Sequence, residues 1–553
     1  MGKKNPPKIR HSWLAQLIDN PIVVSLCLVI LSFLIYANSL GNGFVSDDLG
    51  AIVYNFHIRD TWKDALMPGR ISLGGVIVSL LYILVGPNAL WYHLASVFIH
   101  ALITVLVFIL VLRLMRQPYL AALSGVLFAL HPLHTEAVDF ISALPYLLYS
   151  LFSLTSLLLV DKIESKKTAG IRWIFLVAIT SFLAFSSSEK AIMLPFLIGA
   201  YLVVFASWKR MLAYWPVALA TLVFGLLLFS RIQSRIQVMS PDPQGRLVVE
   251  NPLRIASLAI GTHLRLFALP SGLSLYHEFN NTSGNVVFSL GAIALGFLAL
   301  GLVLFKKNRR LFFFYLIFLV GIGPTILPLN LGWIAAERYV YFPSIGLTVL
   351  LAAGVVALKR INNSLFWGSV LFLTLSYSFL TIQRNRDWKD EPTLWQASLE
   401  ASPDSSQAYV NMGSLYHSQG EIDKAVQAFT KAAQLNPGNP QPWSQLAYIF
   451  ILQNDLTSAK AALTQAIRIN PYEQMNLMVQ AKIFIAEKNF TDAEKLIKRA
   501  QELDPNEPEL YKLMADYYVG IGDTNRARQA AEKAYSLNPN DIDVLEFLGK
   551  QRK

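Results

Sequence analysis

The chain is poor in charge and has almost no cysteine. Of its 553 residues, 15% are charged and one, Cys27, is a cysteine. Soluble globular chains carry about 25% charged residues, so a shortage of this size argues against a wholly water-facing surface. A single thiol excludes an intramolecular disulfide. Because Cys27 lies inside an apolar run, it does not report the redox compartment. Acidic residues are scarce in the first two-thirds. Residues 1–383 hold 28 Lys and Arg against 14 Asp and Glu, whereas residues 384–553 hold 19 against 22. The basic excess falls between apolar segments, where it sets membrane orientation. Nucleic acid is a poor partner, since the soluble-looking part is slightly acidic.

Apolar sequence is abundant: 54% of residues are hydrophobic and the mean hydropathy is +0.43. A bilayer span needs about 20 apolar residues. Runs near 21–40, 91–112, 119–135, 138–160, 171–187, 190–207, 211–230, 286–305, 311–330, 341–358 and 365–382 predict eleven spans. The first begins at Pro21, is long, and lacks a small-residue cleavage site, so it does not fit a cleaved signal peptide. Basic residues then give sidedness. Lys3, Lys4, Lys8 and Arg10 precede span one, and Arg113 and Arg116 follow span two. Lys162, Lys166, Lys167 and Arg172 separate spans four and five, and Lys209 and Arg210 separate six and seven. Lys306, Lys307, Arg309 and Arg310 separate eight and nine, and Lys359 and Arg360 separate ten and eleven. All share the cytoplasmic side if residues 252–272, with Arg254, His263 and Arg265, form a re-entrant or interfacial helix. The N-terminus is then inside and the C-terminal part outside. If 252–272 crosses, everything after it flips.

The C-terminal part keeps a 34-residue period. Pro403, Pro437, Pro471, Pro505 and Pro539 mark it, each after Ser, Asn or Asp. Within it recur large residues (Tyr409, Trp443, Leu477, Tyr511) and small ones (Ala425, Ala459, Ala493, Ala527) at fixed offsets. This is the tetratricopeptide pattern. The predicted division is a membrane unit, 1–383, and a repeat unit, 384–553. The repeat unit has a half repeat at 387–405, placed by Trp395, repeats at 406–439, 440–473, 474–507 and 508–541, and a tail at 542–553. The fold class is all-α: a polytopic bundle followed by an α-solenoid. The repeat residues themselves are packing residues. Their stacked surface is the kind that holds a peptide or partner protein.

Ionisable groups near membrane depth require explanation. Asp47 and Asp48 follow the first span in NGFVSDD. His131, His134 and Glu136 lie in HPLHTE, between spans three and four. Glu189 and Lys190 lie between five and six, and Glu337, Arg338 and Tyr339 enter span ten. A solvated loop or helix cap explains the Asp pair alone, and a Pro-broken turn explains the His pair. His131, His134 and Glu136 are metal-ligand types without an evident fourth ligand, so a divalent metal is not favoured. Glu337 and Arg338 read as a local ion pair or a phosphate fork. On the derived topology all these clusters, with Arg254 and Arg265, share the outer face, as a catalytic site requires.

NGFVSDD, WYHLASVFIHAL with His93, LFALHPLHTEAV, SEKAIMLP and AERYVYFPSIG, followed by the repeats, resemble the transmembrane-and-tetratricopeptide O-mannosyltransferases and their bacterial relatives. Those are related to enzymes of the GT-C glycosyltransferase fold. The resemblance covers nearly the whole chain. Ser46 stands where many relatives have an aromatic residue, and Arg70-Ile71-Ser72 where many have Arg-Pro-Leu. The resemblance implies a polyprenyl-phosphate monosaccharide, mannose favoured, as co-substrate, with no required cofactor, and a protein hydroxyl as acceptor. On this expectation Asp47 is the base, with Asp48 orienting donor or acceptor. Arg338 meets the leaving phosphate, helped by Lys190, Arg254 or Arg265. His93, His131, His134, Glu136, Glu189, Glu337 and Tyr339 shape the pocket. The implied setting is a bacterial inner membrane with the repeats outside. In a eukaryote it would be the endoplasmic reticulum, where the sequons at Asn280 and Asn281 would matter. The competing readings are a membrane scaffold whose repeats recruit envelope proteins, and a lipid-glycan transporter. The transporter would need midplane polar groups and an internal repeat.

Overall fold

The computed structural model describes residues 18–55, 58–59, 61–64, 72–166, 170–223, 226, 251–279, 282–326, 333–471, 473–539 and 541–549. Lys3, Lys4, Lys8, Arg10, Arg70, Ile71, Lys167, Asn280 and Asn281 lie outside these. Among the described residues the chain is helical, and its sole β-pairing is an isolated bridge between His277 and Ala335.

Helix starts are written in the sequence. Asn20 accepts from the Ile22 and Val23 amides and Pro21 occupies the first turn, so Pro21–Ile35 begins there. Asn88 caps Ala89–Met115 and Asn362 caps Asn363–Asp387 in the same way. Among the described residues, four helices are long and apolar enough to cross a membrane: Ala89–Met115, Ile141–Ser165, Gly284–Lys307 and Asn363–Asp387. Leu298, Leu302, Leu371, Phe372 and Phe379 point out of the protein. Apolar residues on an outer face need a non-aqueous neighbour, and together these features point to a membrane protein.

Eleven spans were expected, and among the described residues these four are long enough to cross. Pro21–Ile35, Pro118–Leu130, Ile171–Ser187 and Ser344–Leu358 are apolar but shorter. The runs at 190–207 and 311–330 fold as the helices Leu194–Phe205 and Arg309–Gly321, and that at 211–230 continues past the described residues. Pro132 and Pro195 start or end helices inside these runs, and Pro118 starts one just before the third. A further apolar helix, Leu73–Val85, was not expected. Pro252–Ala268 belongs to neither apolar set, and at about 1.5 Å per residue its 17 residues fall short of a bilayer core.

Ala89–Met115 and Leu144–Lys166 run side by side through the bundle core. At one end Arg113 pairs with Asp161, which also accepts from the Tyr201 hydroxyl at 2.9 Å, and Arg210 pairs with Glu164 at 3.0 Å. The candidate site lies at the opposite end of the same helices.

The repeat helices start at Glu391–Ala401, directly after Asn363–Asp387, and run as pairs from Ser406–Ser418. A Cβ at Gly413 would lie 2.9 Å from the Phe429 ring, which is why a small residue faces a large one across the pair. The turn inside each pair has a left-handed residue at the same period: Gly420, Asn454, Lys488 and Gly522. The two units share one core, in which Val45, Phe140 and Leu275 pack with Trp388, Leu394 and Trp395.

Candidate active site

Adjacent carboxylates take opposite roles. Ser46 adopts φ +55°, a left-handed turn uncommon for a residue with a Cβ. Beyond it Asp47 is exposed and Asp48 is fully buried. Asp48 accepts from the Ser142 amide at 2.7 Å and its hydroxyl at 2.5 Å. Burial pushes the Asp48 carboxyl up to about 7, against the pull of those hydrogen bonds. Asp48 therefore ties the loop to the start of Leu144–Lys166. Ser142 holds its Oδ1, and its Oδ2 faces the Val45 amide at 3.5 Å, so the carboxylate expected to orient substrate is engaged within the protein.

The expected local pair of Glu337 and Arg338 does not form either. Arg338 pairs with Glu136 through its guanidinium and donates its backbone N–H to the same carboxylate at 2.9 Å. Burial raises the Glu136 carboxyl, and the Arg338 guanidinium opposes that rise. Glu337 turns the other way, to Arg384 at 3.4 Å, with His277 Nε2 at 3.6 Å. Arg384 also reaches Asp387 at 3.0 Å. Neighbours in a 3-10 turn point apart, so each reaches a different buried partner.

Lys190 lies 4.0 Å from the Tyr339 ring centroid, and the Arg338 guanidinium 5.3 Å from it. Burial lowers the Lys190 ammonium to about 8; Glu189 opposes the shift and Arg338 adds to it. Glu189 itself is exposed. Tyr146 lies tilted beside Tyr339, ring centroids 5.8 Å apart. Tyr276 joins the membrane and repeat units. Its hydroxyl accepts from the Asn411 side chain, on the first full repeat helix, at 3.1 Å. Lys190 and Arg338 thus converge on the Tyr339 ring, and exposed Asp47 adjoins Asp48, which is bonded to Ser142 at the start of the helix that carries Tyr146.

His131 and His134 do not line it. His131 Nε2 is 3.1 Å from the Phe267 carbonyl and its Nδ1 accepts from the Leu133 amide. His134 contacts the Phe128 carbonyl at 2.8 Å and the Ser344 hydroxyl at 2.7 Å. Both rings, expected in the pocket, are fully buried with both nitrogens engaged, and they brace the turn. His93 is buried against the Asn42 and Gly43 backbone. Arg254 donates to the Phe279 carbonyl at 2.9 Å. Arg265 is exposed and lines a separate cavity of about 460 Å³ with Thr262, His277, Glu278 and Asp404. Among the described residues no group of three His, Cys, Asp or Glu is placed to hold a metal.

Ser142, Tyr146, Tyr276 and Arg384 were not anticipated. Arg384, a charge just past an apolar run, carried a usable signal. Tyr276 sits in an ordinary polar loop and carried none.

The family model of the cilia and flagella-associated protein 70 C-terminal domain matches residues 380–551. Protein O-mannosyl-transferase TMTC3 of Mus musculus is 24% identical over 72% of this chain and 50% of its own length. Its Homo sapiens counterpart is 23% identical with the same coverage. Protein O-mannosyl-transferase F38B6.6 of Caenorhabditis elegans is 23% identical over 74% of this chain and 62% of its own. The chain is a relative of these proteins. The kinship expected from the motifs is thereby shown. The chain spans about half the length of the curated TMTC3 relatives it matches.

Proposed function

We propose that the chain is a membrane glycosyltransferase. It moves a monosaccharide, mannose favoured, from a polyprenyl-phosphate donor to a Ser or Thr hydroxyl of a protein acceptor on the outer face. The observation that carries this reading is the pair of cations, Lys190 and Arg338, gathered on the Tyr339 ring, with exposed Asp47 on the loop that Asp48 ties to Ser142 at the same end of the bundle. The names of the relatives agree with it.

The acceptor hydroxyl attacks the anomeric carbon, and its proton passes to the Asp47 carboxylate. The bond from that carbon to the phosphate oxygen breaks, and its electron pair leaves with the lipid phosphate. Arg338 and Lys190 meet the charge that develops there. Glu136 holds Arg338 in place, and both cations lie against the Tyr339 ring. One displacement inverts the anomeric centre. A GT-C-like bundle of eleven spans, with this end outside, suits that chemistry: nucleotide sugars are cytoplasmic, so an outward site needs a membrane-borne donor. Arg113 and Arg210, at the far end, would then be cytoplasmic, as the basic-residue rule asks. The repeat groove, about 580 Å³ and lined by Tyr448, Met475, Lys482 and Lys512, would hold the acceptor.

The test is reconstitution with polyprenyl-phosphate mannose and a candidate Ser/Thr acceptor, beside Asp47→Asn. Transfer by the parent and its loss in the variant are expected. Unchanged transfer in the variant would remove Asp47 as base. No transfer from any lipid-linked sugar would leave the recruiting scaffold as the better reading.

A further inference from the structure

Four cations crowd one turn of the membrane unit without an ion-pair partner among the described residues. Lys306 and Lys307 end the helix Gly284–Lys307, and Arg309 and Arg310 begin Arg309–Gly321 after the single residue Asn308. All four are exposed. The sequence has no Asp or Glu between Glu278 and Glu337. The turn lies at the end of the bundle opposite the candidate site. Phe313, one turn along from Arg309, packs on Phe205 and Tyr201, ring centroids 5.3 and 5.9 Å away, and Tyr201 bonds Asp161. Several cations of that end are already engaged. Arg113 pairs with Asp161 and Arg210 with Glu164, while Lys162 lies 4.3 Å from the Trp173 ring centroid and Lys359 3.9 Å from that of Tyr119.

Apolar side chains adjoin the four. Leu302, Val303 and Phe305 are exposed on the turn before them, and the Arg309 guanidinium lies 5.5 Å from the Phe305 ring centroid. Their helix is long and apolar enough to cross a bilayer, and little of it is buried. Four like charges within five residues repel one another, and an anion relieves that repulsion. A small soluble anion would leave Leu302 and Phe305 uncovered, whereas an anion with an acyl tail answers both features. Each Lys or Arg beside a membrane helix favours an anionic surface about five-fold. We propose that this turn binds the headgroup of an anionic phospholipid, with the phosphate against Lys306, Lys307, Arg309 and Arg310 and an acyl chain along Leu302 and Phe305. The inference rests on the membrane reading of Gly284–Lys307 and not on the transferase reading.

The test titrates the full chain, purified in neutral detergent, with phosphatidylglycerol or phosphatidylcholine and counts bound lipid by native mass spectrometry. The parent should prefer phosphatidylglycerol by about 100-fold or more, given about five-fold per cation. The quadruple variant Lys306→Gln, Lys307→Gln, Arg309→Gln, Arg310→Gln should bind the two lipids within about two-fold of each other. Lys209→Gln with Arg360→Gln, two exposed cations of the same end, should keep the preference of the parent. Melting temperatures report folding. If the quadruple variant does not fold, Lys306→Gln with Lys307→Gln and Arg309→Gln with Arg310→Gln carry the test, each lowering the preference about ten-fold or more. A parent without preference, a preference that survives the quadruple substitution, or an equal loss in the Lys209 and Arg360 variant would overturn the proposal. Displacement of the lipid by millimolar glycerol 3-phosphate would assign the turn to a soluble phosphate and overturn it too. Lipid preference in a protein that transfers no sugar would leave it standing.

Discussion

Arg338 turns from Glu337 beside it to Glu136, 202 positions upstream. The Glu136 carboxylate is fully buried and the Arg338 side chain is 14% exposed. Removing one partner leaves a buried charge uncompensated, which costs about 3–5 kcal/mol, whereas replacing both by apolar groups is often near neutral. Glu136→Ala should therefore lower the unfolding temperature in detergent sharply. The double variant Glu136→Met with Arg338→Met should recover most of the loss while remaining inactive in transfer. A double variant as unstable as the single would show that the pair is not what holds Arg338.

Lys190 gives a pH dependence. Its ammonium is lowered to about 8 by burial, so its charge is lost as pH rises through that value. If it meets the donor phosphate, kcat/KM for the lipid donor falls above pH 8. Lys190→Arg, charged throughout, should keep kcat/KM flat to pH 9. The measurement is kcat/KM against pH for both proteins; an equal fall in both assigns the limb to another group.

Asp48 gives a second, of stability. Its folded value, about 7, lies above the ordinary 3.8, so the fold prefers the neutral acid. That contribution is present in full below about pH 4 and is lost as pH rises through 7. Thermal unfolding should occur at higher temperature at pH 5 than at pH 8. Asp48→Asn should flatten that difference, and an unchanged slope would place the titrating group elsewhere.

Lys488 sits at φ +63°, where the matching turns of other repeats use Gly420, Asn454 and Gly522. A left-handed residue with a Cβ costs about 1–2 kcal/mol, partly offset by the greater chain entropy of glycine. Lys488→Gly should raise the stability of the repeat unit by about 0.5–1 kcal/mol, read from thermal unfolding. A loss of stability would mean that the Lys488 side chain contributes more than its backbone costs.

The repeat unit was legible residue by residue. Its contacts are local, and each Ala or Phe at a fixed offset meets a partner within the same or the next unit. The helix caps at Asn20, Asn88 and Asn362 were equally legible, because a cap bonds amides two or three positions away. Helix ends within the apolar runs were less legible, since apolar composition does not say where Pro132 or Pro195 interrupts a run. The sequence alone determined that Asp47, Lys190 and Arg338 needed an explanation, through their charge between apolar segments. Only the tertiary structure decided that Asp48 is an anchor, that His131 and His134 are braces, and that Glu136 is the partner of Arg338. Burial and hydrogen-bond direction set those roles, and both depend on side chains brought together from distant helices.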